Sequence, residues 1–342
     1  MSDFSAALES LLRGDDLTPG DLLPLFTPSA GDAAGLHDAA RSLTVVRHGA
    51  GVKIRGLMEI TNCCRNNCYY CGLRAANTAV SRYAIDPDEA MRCVRTAYSA
   101  GFRTIVMQGG ENPASDGMIE RLVAQIKDEF PDCVVTLSLG ERPRQVYARW
   151  RAAGAARYLL RHETAVESHY RMLHPEPMTL EARLECLESL RAEGYEIGMG
   201  MMVGSPSQTT ADLAADLLLL RRIRPDMVGM GPFIPHADTP FGRYPAGDVG
   251  LTCRLISIVR LMLPEANIPA TTAMATLAPD GRRRALDSGA NVLMPNITPM
   301  RHRGDYALYN GKASTGTEGD EGLRALDAEL RGYGRHLLLN KP

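Results

Sequence analysis

From Lys53 onward the chain repeats one pattern: a short apolar run with β character, a polar or glycine-rich joint, then a segment with helical stops and starts. The apolar runs are 54–60, 104–107, 134–139, 157–160, 196–203, 227–230, 268–271 and 292–294. Between them, Asp86 caps a helix that opens at Pro87 and stops at Gly101, Pro143 opens one that ends near Gly154, and Thr179 precedes one that ends at Gly194. Further helical segments fit 118–129, 211–222, 252–263 and 281–288. Strands that alternate with helices form parallel βαβ units, and eight such units close more readily into a barrel than spread into an open sheet. The expected class is therefore α/β, a complete (β/α)8 TIM-type barrel. Residues 3–42 read as short helices broken at Gly20 and near Pro28, which makes 1–50 a short helical N-terminal cap, 51–310 the barrel, and 311–342 a C-terminal loop and helix. In that last part, "GKASTGTEGD" (311–320) reads as a flexible loop ahead of a helix at 323–332.

A barrel places its chemistry at the C-terminal ends of its strands and in the loops that follow. The unusual residues gather there: "MQGGEN" after the second run, "SLGERP" after the third, "LRHET" after the fourth, "MVGSP" after the fifth, "GMGPFIPH" after the sixth, "ATTAM" after the seventh and "MPNITP" after the eighth.

Of 342 residues, 45% are hydrophobic and 23% charged, with a formal net charge of -2, which supplies a large core and excludes a basic nucleic-acid surface. The N-terminus lacks a basic segment followed by an apolar run, and no apolar stretch approaches about 18 residues, so no membrane span and a cytoplasmic location are expected. In that compartment thiols stay reduced, and clustered cysteines are metal ligands rather than disulfides.

Such a cluster exists in "EITNCCRNNCYYCGLR" (59–74), which holds Cys63, Cys64, Cys68 and Cys71; the other four of the eight cysteines are scattered. The stretch contains Cys64-x3-Cys68-x2-Cys71, or alternatively a reading that starts at Cys63. A structural zinc site closes with four ligands, often from two separated pairs, and no second pair is present. A cubane iron-sulfur cluster held by three thiolates keeps one iron open to a substrate or cofactor.

Cys-x3-Cys-x2-Cys after a first barrel strand resembles the signature of the radical S-adenosylmethionine (SAM) enzymes. The resemblance implies that Cys64, Cys68 and Cys71 hold one 4Fe-4S cluster, that Cys63 is a packing residue, and that Tyr70 sits near the SAM adenine. It also implies that Gly109, Gly110 and Glu111 match the family's GGE motif, whose backbone carbonyls meet the SAM amino group, and that Ser138, Glu163, Arg183 and Tyr306 complete the cofactor site. The plainer alternatives are a turn for Gly109–Gly110, a structural ion pair between Glu163 and Arg183, and a turn-capping role for Ser138.

From about residue 55 to 312, the blocks "CRNNCYYCGLR", "SLGE", "YLLRHETA", "DMVGMGPFIPHADTP", "IPATTAM", "ANVLMPN" and "LYNGK" resemble the HydE family, radical SAM maturases of FeFe hydrogenase. This resemblance implies a small anionic iron complex carrying cysteine, carbon monoxide and cyanide as substrate, with an adenosyl radical attacking the cysteine sulfur. It further implies other hydrogenase maturases and an electron donor as partners. Arg161, Thr136, Thr271, Thr272, Met227, Met294 and Tyr309 match the family's cavity residues. His162, adjacent to Arg161 on an extended strand, points the other way and reads as a packed histidine; His236 is either loop-shaping or part of the rim. No cysteine follows Cys253, so a second cluster near the C-terminus is not expected. The competing readings are a methylornithine synthase-like or biotin synthase-like enzyme acting on a small organic substrate, and a non-catalytic iron-sulfur carrier, which has no need of a SAM site.

Overall fold

The computed structural model describes residues 3–313 and 319–342. Its centre is a six-stranded, wholly parallel sheet in the order β2 (Gly56–Thr61), β3 (Thr104–Gly109), β4 (Val134–Ser138), β5 (Ala155–Leu159), β6 (Glu196–Met199) and β8 (Met227–Val228). Two further strands, β7 (Met202–Val203) and β9 (Gly231–Pro232), pair beyond the ends of β6 and β8. Isolated parallel bridges carry the pairing onward from Met227 to Asn267, from Pro269 to Val292 and from Asn296 to Leu57. A second sheet has the order β10 (Val292–Leu293), β1 (Gly51–Ile54), β11 (His336–Leu338), again parallel.

Helices connect the strands where the sequence places them. Asp86 accepts hydrogen bonds from Asp88 N (3.0 Å) and Glu89 N (3.3 Å) to open Pro87–Ser99. Thr179 accepts from Ala182 N (3.2 Å) to open Leu180–Ala192. Gly101, Gly154 and Gly194 take positive φ just past three helix ends, a conformation that costs a residue without Cβ little. Alternate residues of each strand then separate two faces. Met58, Ile60, Ile105, Met107, Val135, Leu137, Ile197 and Met199 join the main hydrophobic core under the helices. The opposite face carries Glu59, Gln108, Thr136, Ser138, Arg157 and Met227, a set too polar for a core.

Four expectations change. The first apolar run breaks at Arg55 into β1 and β2, which belong to different sheets, and the run at 196–203 likewise breaks into β6 and β7 of different sheets. The run at 268–271 is not a strand: Pro269 offers no amide donor, and Thr271 already serves as the N-cap of helix Thr272–Leu277, so only the bridges remain. The last strand, β11, was not expected, and it pairs with β1 across almost the whole chain. The expected loop at 311–320 lies partly outside the described residues, at 314–318; the helix after it spans Gly319–Arg331, so it begins inside the expected loop and ahead of the expected 323.

The N-terminal helices lie against helix Val249–Met262. His37 Nδ1 meets Ser257 Oγ at 2.8 Å, His48 Nε2 meets the Pro264 carbonyl at 2.9 Å, and Thr44 Oγ donates to the Gly289 carbonyl at 3.3 Å. Among the described residues, no helix is long and apolar enough to cross a membrane.

Candidate functional site

The cysteine loop leaves the end of β2 with no regular secondary structure, so side chains must satisfy its backbone. Arg82 donates to the carbonyls of Asn62 (2.7 Å), Leu73 (2.8 Å), Arg74 (2.7 Å) and Asn77 (3.0 Å). Asn62 accepts from Tyr83 N and donates to the carbonyls of Ser81 and Asp305. Neither residue carried a sequence signal, because each acts on carbonyls distant in the chain.

Within this frame the four thiols separate. Cys63 Sγ bonds to the Tyr83 carbonyl at 3.6 Å. Cys64 Sγ accepts from Glu111 N at 3.4 Å, and Cys68 Sγ lies 4.0 Å from Met178 Sδ. Burial pushes the thiols of Cys64, Cys68 and Cys71 upward, Cys71 to about 12; Cys68 also feels Cys71 and Cys64 as like charges, and Cys71 feels Cys64. Thiols buried in this way become thiolate ligands only where a cation offsets the cost of burying their charge.

Beside the cysteines, the turn after β3 is pressed against the loop. A Cβ on Gly110 would fall on the Cys63 carbonyl and 2.8 Å from Cys64 Cβ, so only glycine allows this approach. Glu111, nearly fully buried, accepts from Arg65 Nε (2.7 Å) and Glu141 N (2.7 Å), and its carbonyl accepts from Arg65 N (2.9 Å). Its carboxylate therefore ties three loops together.

The structural pair between Glu163 and Arg183 does not form. Arg183 instead donates to Glu141 Oε1 (2.5 Å) and to the Arg161 carbonyl (2.6 Å), while Glu163 Oε2 accepts from Arg161 (2.8 Å). Glu163 has a φ of 66°, an unusual backbone for a glutamate, stabilised on both sides by Glu163 N to the Gly200 carbonyl (3.0 Å) and Met202 N to the Glu163 carbonyl (3.3 Å). Ser138 ends β4 opposite Gln108. Tyr70 OH meets His174 Nε2 at 3.2 Å, and because His174 Nδ1 lies 3.0 Å from the Tyr170 carbonyl, Nδ1 donates and Nε2 accepts from the phenol. Burial holds His174 down at about 3, which keeps it neutral.

Deeper on the inward face, several buried polar atoms have no partner: Thr136 Oγ, Thr271 Oγ, Arg161 Nε, and Arg55 Nε and Nη2. Arg55 lay outside the sequence expectations. Its side chain bonds from Nη1 to Met227 Sδ at 2.9 Å, and burial followed by the charge of Arg157 lowers it to about 9. Three carboxylates of the sheet and its rim are matched: Glu163 with Arg161, Glu196 with Arg157, Glu59 with Lys312. Thr271, Thr272 and Met294 line one small recess, whereas Thr136 sits on β4. Tyr309 is pushed to about 12 by burial, with Thr276 and Arg161 opposing the rise. Tyr306 is buried, its hydroxyl accepting from Gln108 Nε2 at 3.2 Å. His162 is fully buried beside Asp216 (3.3 Å) while Arg161 bonds Glu163; both lie past the end of β5 at Leu159, so the extended strand expected there is not formed. His236 packs over Gly72, with Nδ1 accepting from Asp238 N at 3.2 Å.

Residues 58–220 match the Radical SAM superfamily. The FeFe hydrogenase maturase subunit HydE of Thermotoga maritima is 49% identical over 265 residues, 77% of this chain and 75% of the relative. The chain belongs to the HydE family. A 3-methylornithine synthase of Methanosarcina barkeri is 25% identical over 91% of this chain and 88% of its own. Among solved structures, methylornithine synthase (PylB) superposes with a TM-score of 0.84 at 23% identity, covering 98% of each chain. The maturase HydG of Carboxydothermus hydrogenoformans gives 0.81 at 20%, covering 98% of this chain and 79% of that one. At these identities the two structures speak for the fold, a radical SAM barrel-like α/β sheet. As a member of the HydE family, the chain is a radical SAM enzyme that uses a 4Fe-4S cluster and SAM. The three buried thiols and the close-packed turn at Gly110 fit that cluster.

Proposed function

We propose that this enzyme matures an FeFe hydrogenase by processing a small anionic iron complex of cysteine, carbon monoxide and cyanide inside a complete (β/α)8 barrel with residues 1–50 as its helical cap. The observation that carries the reading is Arg55: a buried guanidinium with two unpartnered nitrogens, where the carboxylate acting on it, Glu196, is already paired with Arg157. An anion supplies what is missing, and the unpaired hydroxyls of Thr136 and Thr271 with Arg161 Nε supply donors for it. The thioethers of Met227 and Met294 suit a soft ligand. Bridges from Met227 through Asn267, Pro269 and Val292, and from Asn296 to Leu57, support barrel closure.

Cys64, Cys68 and Cys71 would hold the cluster. Gly109, Gly110, Glu111, Ser138, Glu163, Arg183, Tyr70 and Tyr306 would surround SAM. When bound, these groups supply one-electron cleavage of SAM. The residues do the rest. Glu163 offers Oε1 to a ligand hydroxyl while Oε2 stays on Arg161. His174 holds the Tyr70 ring by its phenol. Arg161, bound to the cofactor-side Glu163 and close to Tyr309, joins the cofactor region to the substrate chamber. An electron donor and other maturases are the expected partners.

Arg161→Met tests this reading, since it keeps length and removes the charge and its donors. SAM titration should survive and slow 5′-deoxyadenosine formation should continue, while adenosyl transfer to substrate sulfur and hydrogenase maturation in a reconstituted mixture fall sharply. Normal maturation by this variant would defeat the anion-chamber reading; loss of SAM binding would move Arg161 to the cofactor side.

A further inference from the structure

The block "LYNGK" ends in Lys312, and its partner lies on the first strand of the central sheet. Glu59, on β2, has a fully buried side chain; the side chain of Lys312 is 15% exposed, and the two form an ion pair. Glu59 also accepts from Asn296 Nδ2 at 3.0 Å. Lys312 Nζ donates a second bond to the Tyr306 carbonyl at 3.1 Å and stands 4.7 Å from the centre of the Tyr306 ring. We propose that Glu59 and Lys312 are positioning residues whose buried ion pair pins segment 306–313 onto the inward face and so aims Tyr306 and Tyr309.

The geometry of the segment leads to this. It contains no strand, and its rim contacts are Gly72 N to the Leu308 carbonyl (2.9 Å), Asn310 N to the Pro235 carbonyl (3.1 Å), Ala237 N to Asn310 Oδ1 (3.3 Å) and Ala313 N to Thr276 Oγ (3.0 Å). These bonds hold it to the loops after β2 and β9 and to helix Thr272–Leu277 but set no depth. Lys312 sets the depth, because its ammonium must satisfy Glu59, the Tyr306 carbonyl and the Tyr306 ring face together. Burying two charges costs several kcal/mol per ion before their attraction is counted, so packing alone is served as well by an apolar pair. What the ion pair adds is a single register for the segment, and that register carries both tyrosines. Gln108 then meets the Tyr306 hydroxyl. The Gly72 bond also joins the segment to the residue after Cys71, so a shift here reaches the cysteine loop.

The proposal rests on the placement of Tyr306 beside SAM, and the experiment separates the two. Reconstituted holoenzyme is compared with Lys312→Arg, Glu59→Gln/Lys312→Met and Tyr306→Phe. Hydrogen exchange is followed over 303–313 and 62–77, and SAM affinity is read from the cluster's EPR signal. Lys312→Met alone strands a buried carboxylate, so the double variant is the deciding one. It should carry wild-type iron, exchange roughly tenfold faster over 306–313 and bind SAM about 5- to 10-fold more weakly, the scale of one lost hydrogen bond. Lys312→Arg should restore most of both. Unchanged exchange in the double variant overturns the proposal. So does faster exchange with wild-type SAM affinity when Tyr306→Phe itself binds SAM poorly. If Tyr306→Phe binds SAM normally, the placement of Tyr306 falls, and the exchange result alone decides whether the pair pins the segment.

Discussion

Replacing Gly110 by alanine puts one methyl group where the turn after β3 meets the cysteine loop. That carbon would fall on the Cys63 carbonyl group, 2.7 Å from its carbon, and 2.8 Å from Cys64 Cβ. Unstrained carbon contacts begin at about 3.5 Å, so the loops must part by at least roughly 0.8 Å. Two of the three atoms met are backbone and the third is the Cβ of a proposed ligand, so no rotamer change relieves the clash. Overpacking of this kind costs about 1–3 kcal/mol. Because the thiols hold a cluster only in the native loop geometry, that cost reads out as about 5- to 150-fold weaker retention. The assay is anaerobic reconstitution followed by a chelator challenge, with iron per chain and cluster absorbance measured over time. Gly304→Ala is the control, since no atom lies within 4 Å of its Cβ position. A Gly110→Ala protein that keeps its iron as long as Gly304→Ala refutes the reasoning.

Cys63→Ala should retain one 4Fe-4S cluster, because its thiol is engaged by the Tyr83 carbonyl, whereas serine at Cys64, Cys68 or Cys71 should abolish or greatly weaken it; iron analysis showing equal loss at Cys63 overturns the ligand set. Glu163→Ala should keep cluster absorbance and weaken SAM binding by roughly 10- to 100-fold, the value of a hydrogen bond involving a charged group; an unmoved titration curve removes Glu163 from the site. His174 makes stability depend on pH. Its folded value of about 3 lies below the ordinary 6.5, so its contribution is fully present above 6.5 and is lost as pH falls toward 3. Between pH 7 and 5 the loss is about 2 kcal/mol. Denaturation midpoints at the two pH values should converge for His174→Asn relative to wild type, and an equal drop in both proteins would show that another group titrates.

Local chemistry made part of this protein legible in one dimension. Asp86 and Thr179 cap helices through amides two or three residues away, and Gly101, Gly154 and Gly194 end them through their own backbone freedom. Cys64, Cys68 and Cys71 lie within eight residues, so the Cys-x3-Cys-x2-Cys spacing that carries the family resemblance is visible in one dimension. Arg161 and His162, neighbours just past the end of β5, turn to different partners, Glu163 and Asp216. Tertiary structure decided what depends on partners far along the chain. Pro269 and Thr271 look like parts of a strand until the missing amide and the cap leave only bridges. The short β11 exists because β1 offers it an edge. Arg161 takes Glu163 and Arg183 takes Glu141, a choice between like charges that only distance makes. Neither Arg55, within the run 54–60, nor Lys312, in the block "LYNGK", carries a sequence signal of its fate as a cation. Folding buries both, matching Lys312 to a carboxylate 253 residues away and leaving Arg55 with none, since burial and pairing are properties of the packed interior and not of the residue.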